Sequence, residues 1–494
     1  MRKSKTLSQK AIMLAGVNAV NIAFRTILPF ILVRVFSQEE FGQYMSLWLI
    51  ATTAMVLTPL GMKNGLFYFL PRHDDIERKT YVANVIFFTF FTAGLYSSLV
   101  FVGLAVKQDA FGLSIQQNLV PPLFVFLWVV ASLIDSLLSA EQKHGLQAKY
   151  LLGLGFFRTL IIVSAAIYTK SVEMVYLALL AFALVKCSLL FLHCYRVYGK
   201  SFFLVRVNNS LILPQIKYSV PFGIGSIFTQ LRPRIEHWVI LFFLSTASFA
   251  VFSVITTIES IFNMAKQSIA QVILPSMSSH ETQGNVSEII RLNKKMNLVV
   301  FSLVVPCAIY FEIYADEIIH IIFTNQYSDA IYLIRIYLVG IIVSSLDFQN
   351  VLMVFRQGRF VMRVSVFLII FTSAGCSIAA ILFGLKGVAI LSVCITCLRQ
   401  LFYIFKLKKV VKLTVKQLQN WTSYVFIIVS ACISGILIYW MKYDEIYQEY
   451  FNYIIVEYIV SLMVFFGIYF FSIKIMVPES VNSLFSLKGK KKIR

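Results

Sequence analysis

Charge is what this 494-residue sequence has least of. Charged side chains make up 14% of it, against about 25% in soluble domains. Acidic residues are scarcer still, 23 against 44 basic ones. Long polar segments are missing too, which leaves no room for a soluble catalytic domain. The short alternating stretches that build a membrane β-barrel are also absent. Cysteine is sparse: seven residues, each in or beside an apolar run. Cys394 and Cys397 form a C-x-x-C inside such a run. Two small buried helix residues are expected there, rather than redox or metal chemistry. No cofactor and no metal site are expected.

What is present is hydrophobic. Apolar residues reach 59% and aromatics 15%. A hydrocarbon core of about 30 Å needs about 20 apolar residues per helix. The expected fold is therefore all-α integral membrane, with about fourteen transmembrane helices. They are placed at 10–36, 41–62, 81–106, 118–140, 146–169, 173–195, 216–244, 247–275, 296–323, 330–353, 360–383, 387–405, 421–441 and 452–474. The opening "MRKSKTLSQK" is basic, and the apolar run behind it extends to Phe36. That is too long for a signal-peptide core, so a retained first span is expected.

Basic residues orient the chain. With the N-terminal tail placed in the cytoplasm, the opposite loops hold only Lys107, Lys170, Lys386 and Lys442 of the 44 Lys and Arg. Such asymmetry is a positive-inside signal and puts both termini in the cytoplasm. The run "KGKKKIR" then reads as an anchor at anionic lipid heads, with no nucleic acid required.

An internal duplication is faintly legible. "FRTILPFILVRVFSQEEFGQYMSLWLI" and "LRPRIEHWVILFFLSTASFAVFSVITTI" align Phe41 and Tyr44 with Phe249 and Phe252 at a shift of 208. Each opens a six-span block. An even number of spans makes this a parallel repeat, an arrangement familiar in secondary transporters. The expected parts are a six-helix bundle at 1–210, a second at 211–410, and two additional helices with a basic tail at 411–494.

Eight cations fall inside spans: Arg25, Arg34, Arg158, Lys186, Arg232, Arg234, Lys266 and Arg335. Each costs roughly 2.5–3.5 kcal/mol near a helix centre on insertion scales. Snorkelling serves Arg34 and Lys266, which lie towards span ends. Arg25, Arg158, Lys186 and Arg232 sit near mid-span, where a charged residue normally faces the bundle interior or a wet cavity. Arg158 and Asp135 lie on adjacent antiparallel spans, so an ion pair between them competes with a functional reading. Arg232 and Arg234 are two residues apart and point to different sides of their helix, with Pro233 between them. Together with Arg25 they suggest a basic site built by both halves. Arginine grips phosphate oxygens bidentately, so a membrane-embedded basic site suits a lipid-linked phosphate or diphosphate.

Several stretches resemble the polysaccharide flippases of the multidrug/oligosaccharidyl-lipid/polysaccharide exporter superfamily. "ILVRVFSQEEFGQYMSLWLI" is similar to that family's first turn, with Phe41, Gly42 and Tyr44; "GMKNGLFYFLPRHD" resembles its next loop. "ILPSMS" supplies Pro275, Ser276 and Ser278, and "ADEIIHIIFTNQYSDAIYLIRI" supplies Tyr327 and Ala330. "FGLKGVAI" supplies Gly384, Gly387 and Ala389. The chain departs from the pattern at Ala250 and Phe252, where the family often has Gly and then Tyr, and at Thr324, where many relatives have Gly.

The resemblance implies two six-helix bundles around a V-shaped cavity, with a polyprenyl-diphosphate-linked oligosaccharide as substrate. It implies a monomer in the bacterial cytoplasmic membrane, in contact with membrane lipids. Arg25, Arg232 and Arg234 are the first substrate-binding candidates, with Arg158 and Lys186 next. A coupling ion, proton or sodium, is possible in this family; Glu236, His237, Glu259 and Asp135 are the titratable candidates. A cation-coupled drug exporter of the same superfamily is the competing reading. Its pocket should be acidic, whereas the first span here carries Arg25 and Arg34 and no carboxylate. A membrane polysaccharide-processing enzyme is a third reading, disfavoured by the short loops.

Overall fold

The computed structural model describes residues 7–106, 119–204, 209–442 and 454–476, which contain helices and no strand. The tail "KGKKKIR" and the loop holding Lys107 lie outside the described residues. The first part of the chain forms α1 (Leu7–Leu32), α2 (Gln38–Leu57), α3 (Met62–Phe69), α4 (Asp75–Val106), α5 (Val120–Ala131) and α6 (Leu133–Ala140). There follow α7 (His144–Thr169), α8 (Val172–Tyr198), α9 (Asn209–Phe243), α10 (Thr246–Thr282), α11 (Val286–Ile313) and α12 (Ala315–Phe323). The last are α13 (Asp329–Ser344), α14 (Gln349–Val354), α15 (Gly358–Val411), α16 (Val415–Leu418), α17 (Trp421–Lys442) and α18 (Ile454–Met476).

Ten of these segments are long and apolar enough to cross a membrane, or eleven if the bent pair α2–α3 is one span. The chain is thus a multi-pass membrane protein. The fourteen spans expected from hydropathy exceed this number for identifiable reasons. In α1 the apolar stretch is only Val20–Leu32. In α9 three charges fall within five positions, Arg232, Arg234 and Glu236. Two of the expected spans lie in α15, whose 54 residues would extend about 80 Å if straight, far beyond a bilayer. It is broken at Gly384, with φ 61° and ψ −148°. A Cβ on nearby Gly387 would stand 2.7 Å from the Ala379 carbonyl oxygen, so only glycine fits the kink.

By packing, the chain divides into two units. One is Met1–Thr257 with Ser365–Val388; the other is Ile258–Val364 with Ala389–Arg494. Lipid tails are as apolar as leucine, so helices associate in membranes through close van der Waals approach, often at small residues. The first unit does this at two places. A Cβ on Gly42 would lie 2.2 Å from the Thr246 carbonyl oxygen, which ties the start of α2 to the start of α10. A Cβ on Gly223 of α9 would lie 2.3 Å from the Leu60 carbonyl oxygen.

Leu60 and Gly61 form the break between α2 and α3, with φ 41° and 81°. Hydropathy carries a span unbroken to residue 62. The structure instead bends it by 46°, because "TPLG" couples a proline to a left-handed glycine. The carbonyl of Thr58, freed at the break, accepts a hydrogen bond from Thr92 Oγ1 at 2.8 Å.

The starts of α2 and α10 are built alike, 208 residues apart. The Glu40 amide donates to Ser37 Oγ at 3.3 Å and the Ser248 amide to Ser245 Oγ at 3.1 Å. Each serine takes up a donor that a helix start leaves unpaired. Phe41, Tyr44, Phe249 and Phe252 are all buried behind these caps.

In the second unit α17 and α18 pack on α11. Leu298, Phe301 and Val305 meet Tyr424, Ile427, Ala431, Tyr469 and Ile473 in one buried cluster. Tyr469 Oη donates to the Ser302 carbonyl at 2.7 Å. The span expected at 330–353 is broken between α13 and α14. Its freed backbone is satisfied by side chains from other helices. Lys266 Nζ donates to Ser344 O at 2.6 Å, Gln400 Nε2 to Leu346 O at 2.8 Å, and Asn293 Nδ2 to Asp347 O at 2.9 Å. Lys266 therefore does not snorkel: its ammonium caps a helix inside the membrane. Arg335 pairs with Asp316 at 3.0 Å and with Glu312 at 3.5 Å.

Thr324 sits at φ 72°, a backbone conformation that glycine adopts more readily than threonine.

Candidate functional site

Within the first unit seven helices and the α3 start surround a cavity of about 300 Å³. The helical repeat explains which side chains reach it. Residues four apart share a face, and the wall is built from such pairs. Asn21 and Arg25 come from α1, Trp48 and Thr52 from α2, Leu154 and Arg158 from α7, Phe182 and Lys186 from α8, and Gln230 and Arg234 from α9. Trp128, Asp135 and Lys63 complete it from α5, α6 and α3.

Five of these residues are cations: Arg25, Lys63, Arg158, Lys186 and Arg234. One is a carboxylate, Asp135. Asp135 pairs with Lys186 at 3.1 Å, so the pairing of Asp135 with Arg158 considered from the sequence gives way to the next helix. Arg158 is buried, with 8% of its surface exposed. Its Nε and Nη2 are sealed from solvent and donate to nothing. The Trp48 ring lies 5.8 Å from its guanidinium carbon, and the Trp128 ring 5.1 Å from Lys186 Nζ. Arg234 donates through Nη1 to the Gln230 carbonyl.

Of the binding candidates read from sequence, Arg25, Arg158, Lys186 and Arg234 stand on this wall; Arg232 is not part of it. Lys63 was missed. Hydropathy ends the span just before it and leaves it in a loop, but the bend at Gly61 turns α3 so that Lys63 joins the cavity. The "PLG" before it was the available signal.

A family model described as "Polysaccharide biosynthesis protein" matches residues 31–332, more than half of the chain. The chain belongs to this family. No curated protein matches the sequence. Solved structures do match in fold. A lipid II flippase, MurJ, in an inward closed conformation has a TM-score of 0.73 at 11% identity, covering 95% of this chain and 100% of that one. A multidrug resistance MATE family transporter of the MOP superfamily, inward-facing, gives 0.63 at 12% identity over 79% of this chain and 95% of that one. A MOP superfamily transporter from Pyrococcus furiosus, described by a reversed polarity of its binding pocket, gives 0.55 at 12% identity over 82% and 97%. At these identities the likeness establishes the fold alone.

In this polysaccharide-biosynthesis protein the coupling candidates are dispersed. Asp135 is on the cavity wall. His237 is not part of that wall; its Nδ1 lies 3.1 Å from the Pro233 carbonyl oxygen and its ring is edge-on to Phe252 at 4.9 Å. Glu236 is half-buried on the same helix. Glu259 belongs to the second unit, where its Oε1 accepts from Asn263 Nδ2 at 3.3 Å. α9 runs through Pro233 as one helix.

A second polar cluster, unforeseen from sequence, lies just beyond α6. Glu141 accepts from Lys143 Nζ at 2.8 Å and from Tyr198 Oη at 2.7 Å, and its Oε2 lies 2.9 Å from His193 Nε2. Burial works to raise its pKa. The hydrogen bonds from His193, Lys143 and Tyr198 together outweigh that and hold it below the ordinary carboxylate range.

Proposed function

We propose that this chain is a flippase for polyprenyl-diphosphate-linked oligosaccharide repeat units. It carries them across the bacterial cytoplasmic membrane for assembly of a surface polysaccharide such as O-antigen or capsule. The observation that carries this reading is the cavity wall: five cations against one carboxylate. An anionic head group supplies the missing counter-charge.

Membership of a polysaccharide-biosynthesis family and the MurJ-like fold support a lipid-linked sugar. Arg25, Arg158, Arg234 and Lys186 hold the diphosphate and neighbouring sugar, joined by Lys63. The cavity opens alternately to the two sides while the lipid tail stays in the bilayer. The six-span blocks 1–210 and 211–410 are the moving parts, and 411–494 is an addition; the matched caps at Ser37 and Ser245 support the duplication. Both termini lie in the cytoplasm, and the chain works as a monomer. Asp135, as the carboxylate on the wall, is the first candidate for coupling to a proton or sodium ion.

The basic wall speaks against the drug-exporter reading, since a cationic drug needs an acidic pocket. In a host lacking its own copy, Arg234→Ala should abolish surface polysaccharide at unchanged membrane abundance. Arg234→Lys should restore part of it, keeping the charge and losing the fork. Normal export by Arg234→Ala together with Arg158→Ala overturns the assignment. Drug resistance on overexpression, with polysaccharide intact in the deletion strain, moves the chain to the exporter class.

A further inference from the structure

At one end of the cavity α3 and α9 press together closely. Lys63 lines the cavity; two residues on, a Cβ on Gly65 would lie 2.3 Å from Ser219 Oγ. On α9, Gly223 packs on the Leu60 carbonyl and precedes the wall residue Gln230 by about two turns. One turn further along α3 the contact is aromatic. The Tyr68 ring stacks on the Tyr218 ring at 4.3 Å, and Phe69 meets Tyr218 edge-on at 5.6 Å. The Arg72 guanidinium carbon lies 3.7 Å from the Tyr68 ring centre. Arg72, Arg78, Lys79 and Lys217 flank this end in sequence, which the excess of basic residues assigns to the cytoplasm.

A permanent contact normally leaves its buried polar groups hydrogen-bonded. This one strands several. Gln215 Oε1 and Ser219 Oγ are four residues apart on α9, on one face, and both are sealed from solvent without a partner. So are both amide atoms of Asn84. Asn84 stands on α4 three residues after Tyr81, whose carbonyl accepts from Gln215 Nε2 at 3.4 Å. Such atoms lose hydration when helices close over them and regain it when the helices part. The tyrosine stack holds the contact shut against that penalty. Both partners are built to bend. Leu60 and Gly61 break the path from α2 into α3. Pro214 and Pro221 flank Ser219 inside α9, and each removes a backbone hydrogen bond.

We infer that the α3–α9 contact is a gate at the cytoplasmic end of the cavity, latched by Tyr68 on Tyr218 and shut in this structure. The inference rests on the flippase reading and assigns the element that admits the head group from the cytoplasm.

Two measurements on the full-length chain in proteoliposomes test it. In Tyr68→Cys/Tyr218→Cys, a short bis-methanethiosulfonate linker joins the two helices. The linked protein should lose movement of a fluorescent prenyl-diphosphate oligosaccharide, and a reducing agent should restore it. Movement unchanged by the link overturns the gate and leaves the flippase reading standing. The second measurement needs no cargo. Ser219→Cys is exposed to a membrane-impermeant maleimide on the cytoplasmic side, and peptide mass spectrometry separates it from the native cysteines. The sealed position should react, more slowly than exposed Lys217→Cys, and the Tyr68→Cys/Tyr218→Cys link should abolish the reaction. No reaction at Ser219→Cys while Lys217→Cys reacts fully overturns the gate. Reaction that the link abolishes, with the probe moved by no form of the protein, supports the gate and removes the flippase reading. Should the double variant fail to fold, the comparison of Ser219→Cys with Lys217→Cys still decides.

Discussion

Arg158 and Lys266 are both cations within apolar membrane helices, and the structure treats them in opposite ways. Lys266 spends its charge on the protein. It donates to Ser344 O at 2.6 Å, at a break where α13 has left carbonyls without amides. Arg158 keeps two donors unspent on the wall of a cavity with four other cations. A buried charge that completes the fold is a structural part. A buried charge that the fold leaves incomplete is, on the flippase reading proposed above, part of the substrate site. Hydropathy marks both residues identically, as exceptions in a greasy run; their partners tell them apart.

Substitutions can break or sharpen that contrast. The largest effect is expected from Arg158→Ala, which should reduce polysaccharide export by about tenfold or more. Its melting temperature should stay level or rise, because an unpaired buried charge has been removed. A lowered melting temperature with export retained makes Arg158 a structural residue like Lys266.

Lys266→Met should do the reverse. It strands the Ser344 carbonyl and should cost about 1–3 kcal/mol of stability, read as a lower melting temperature. Affinity of the folded fraction for a prenyl-diphosphate probe should be unchanged. Lost affinity at normal stability would erase the distinction between the two cations.

Asp135→Asn is intermediate. It frees Lys186 from its 3.1 Å partner and adds one more unmatched cation to the wall. Binding of the diphosphate probe should tighten by a few fold. If Asp135 also couples transport, the variant's transport should lose its dependence on the proton or sodium gradient.

Glu141 provides the smallest effect and a fully satisfied reference. Its pKa is lowered in the folded state, so it contributes stability above the unfolded carboxylate range. That contribution is lost as the pH falls through its depressed folded value. Glu141→Gln should flatten the acid side of a melting-temperature profile and leave neutral-pH affinity alone. An unchanged acid limb means that the cluster around His193 and Tyr198 does not hold the carboxylate ionised.

Much of the molecule was legible in the sequence. Run lengths located the helices, and the spacing of Arg232 and Arg234 separated them to different sides. What escaped was contingent on local backbone breaks. The α13–α14 break falls in "SSLDF", which has neither glycine nor proline, so nothing announced it. The carbonyls that Lys266 caps were therefore invisible, and snorkelling was the natural reading. Lys63 was lost to a loop because hydropathy does not register a bend. Thr324 adopts φ 72° because the surrounding turn holds it there and not because threonine prefers it.

By itself the sequence determined that this chain lives in lipid and carries more buried positive charge than negative. Hydrocarbon penalises exposed polar groups so steeply that apolar run length is a sufficient guide. Only the tertiary structure decided which charges are spent and which are held open. An ion pair depends on helix rotation and approach within an ångström or so, and side chains from five or six distant segments set that together. The assignment of Asp135 to Lys186, with Arg158 left over, is a decision of packing.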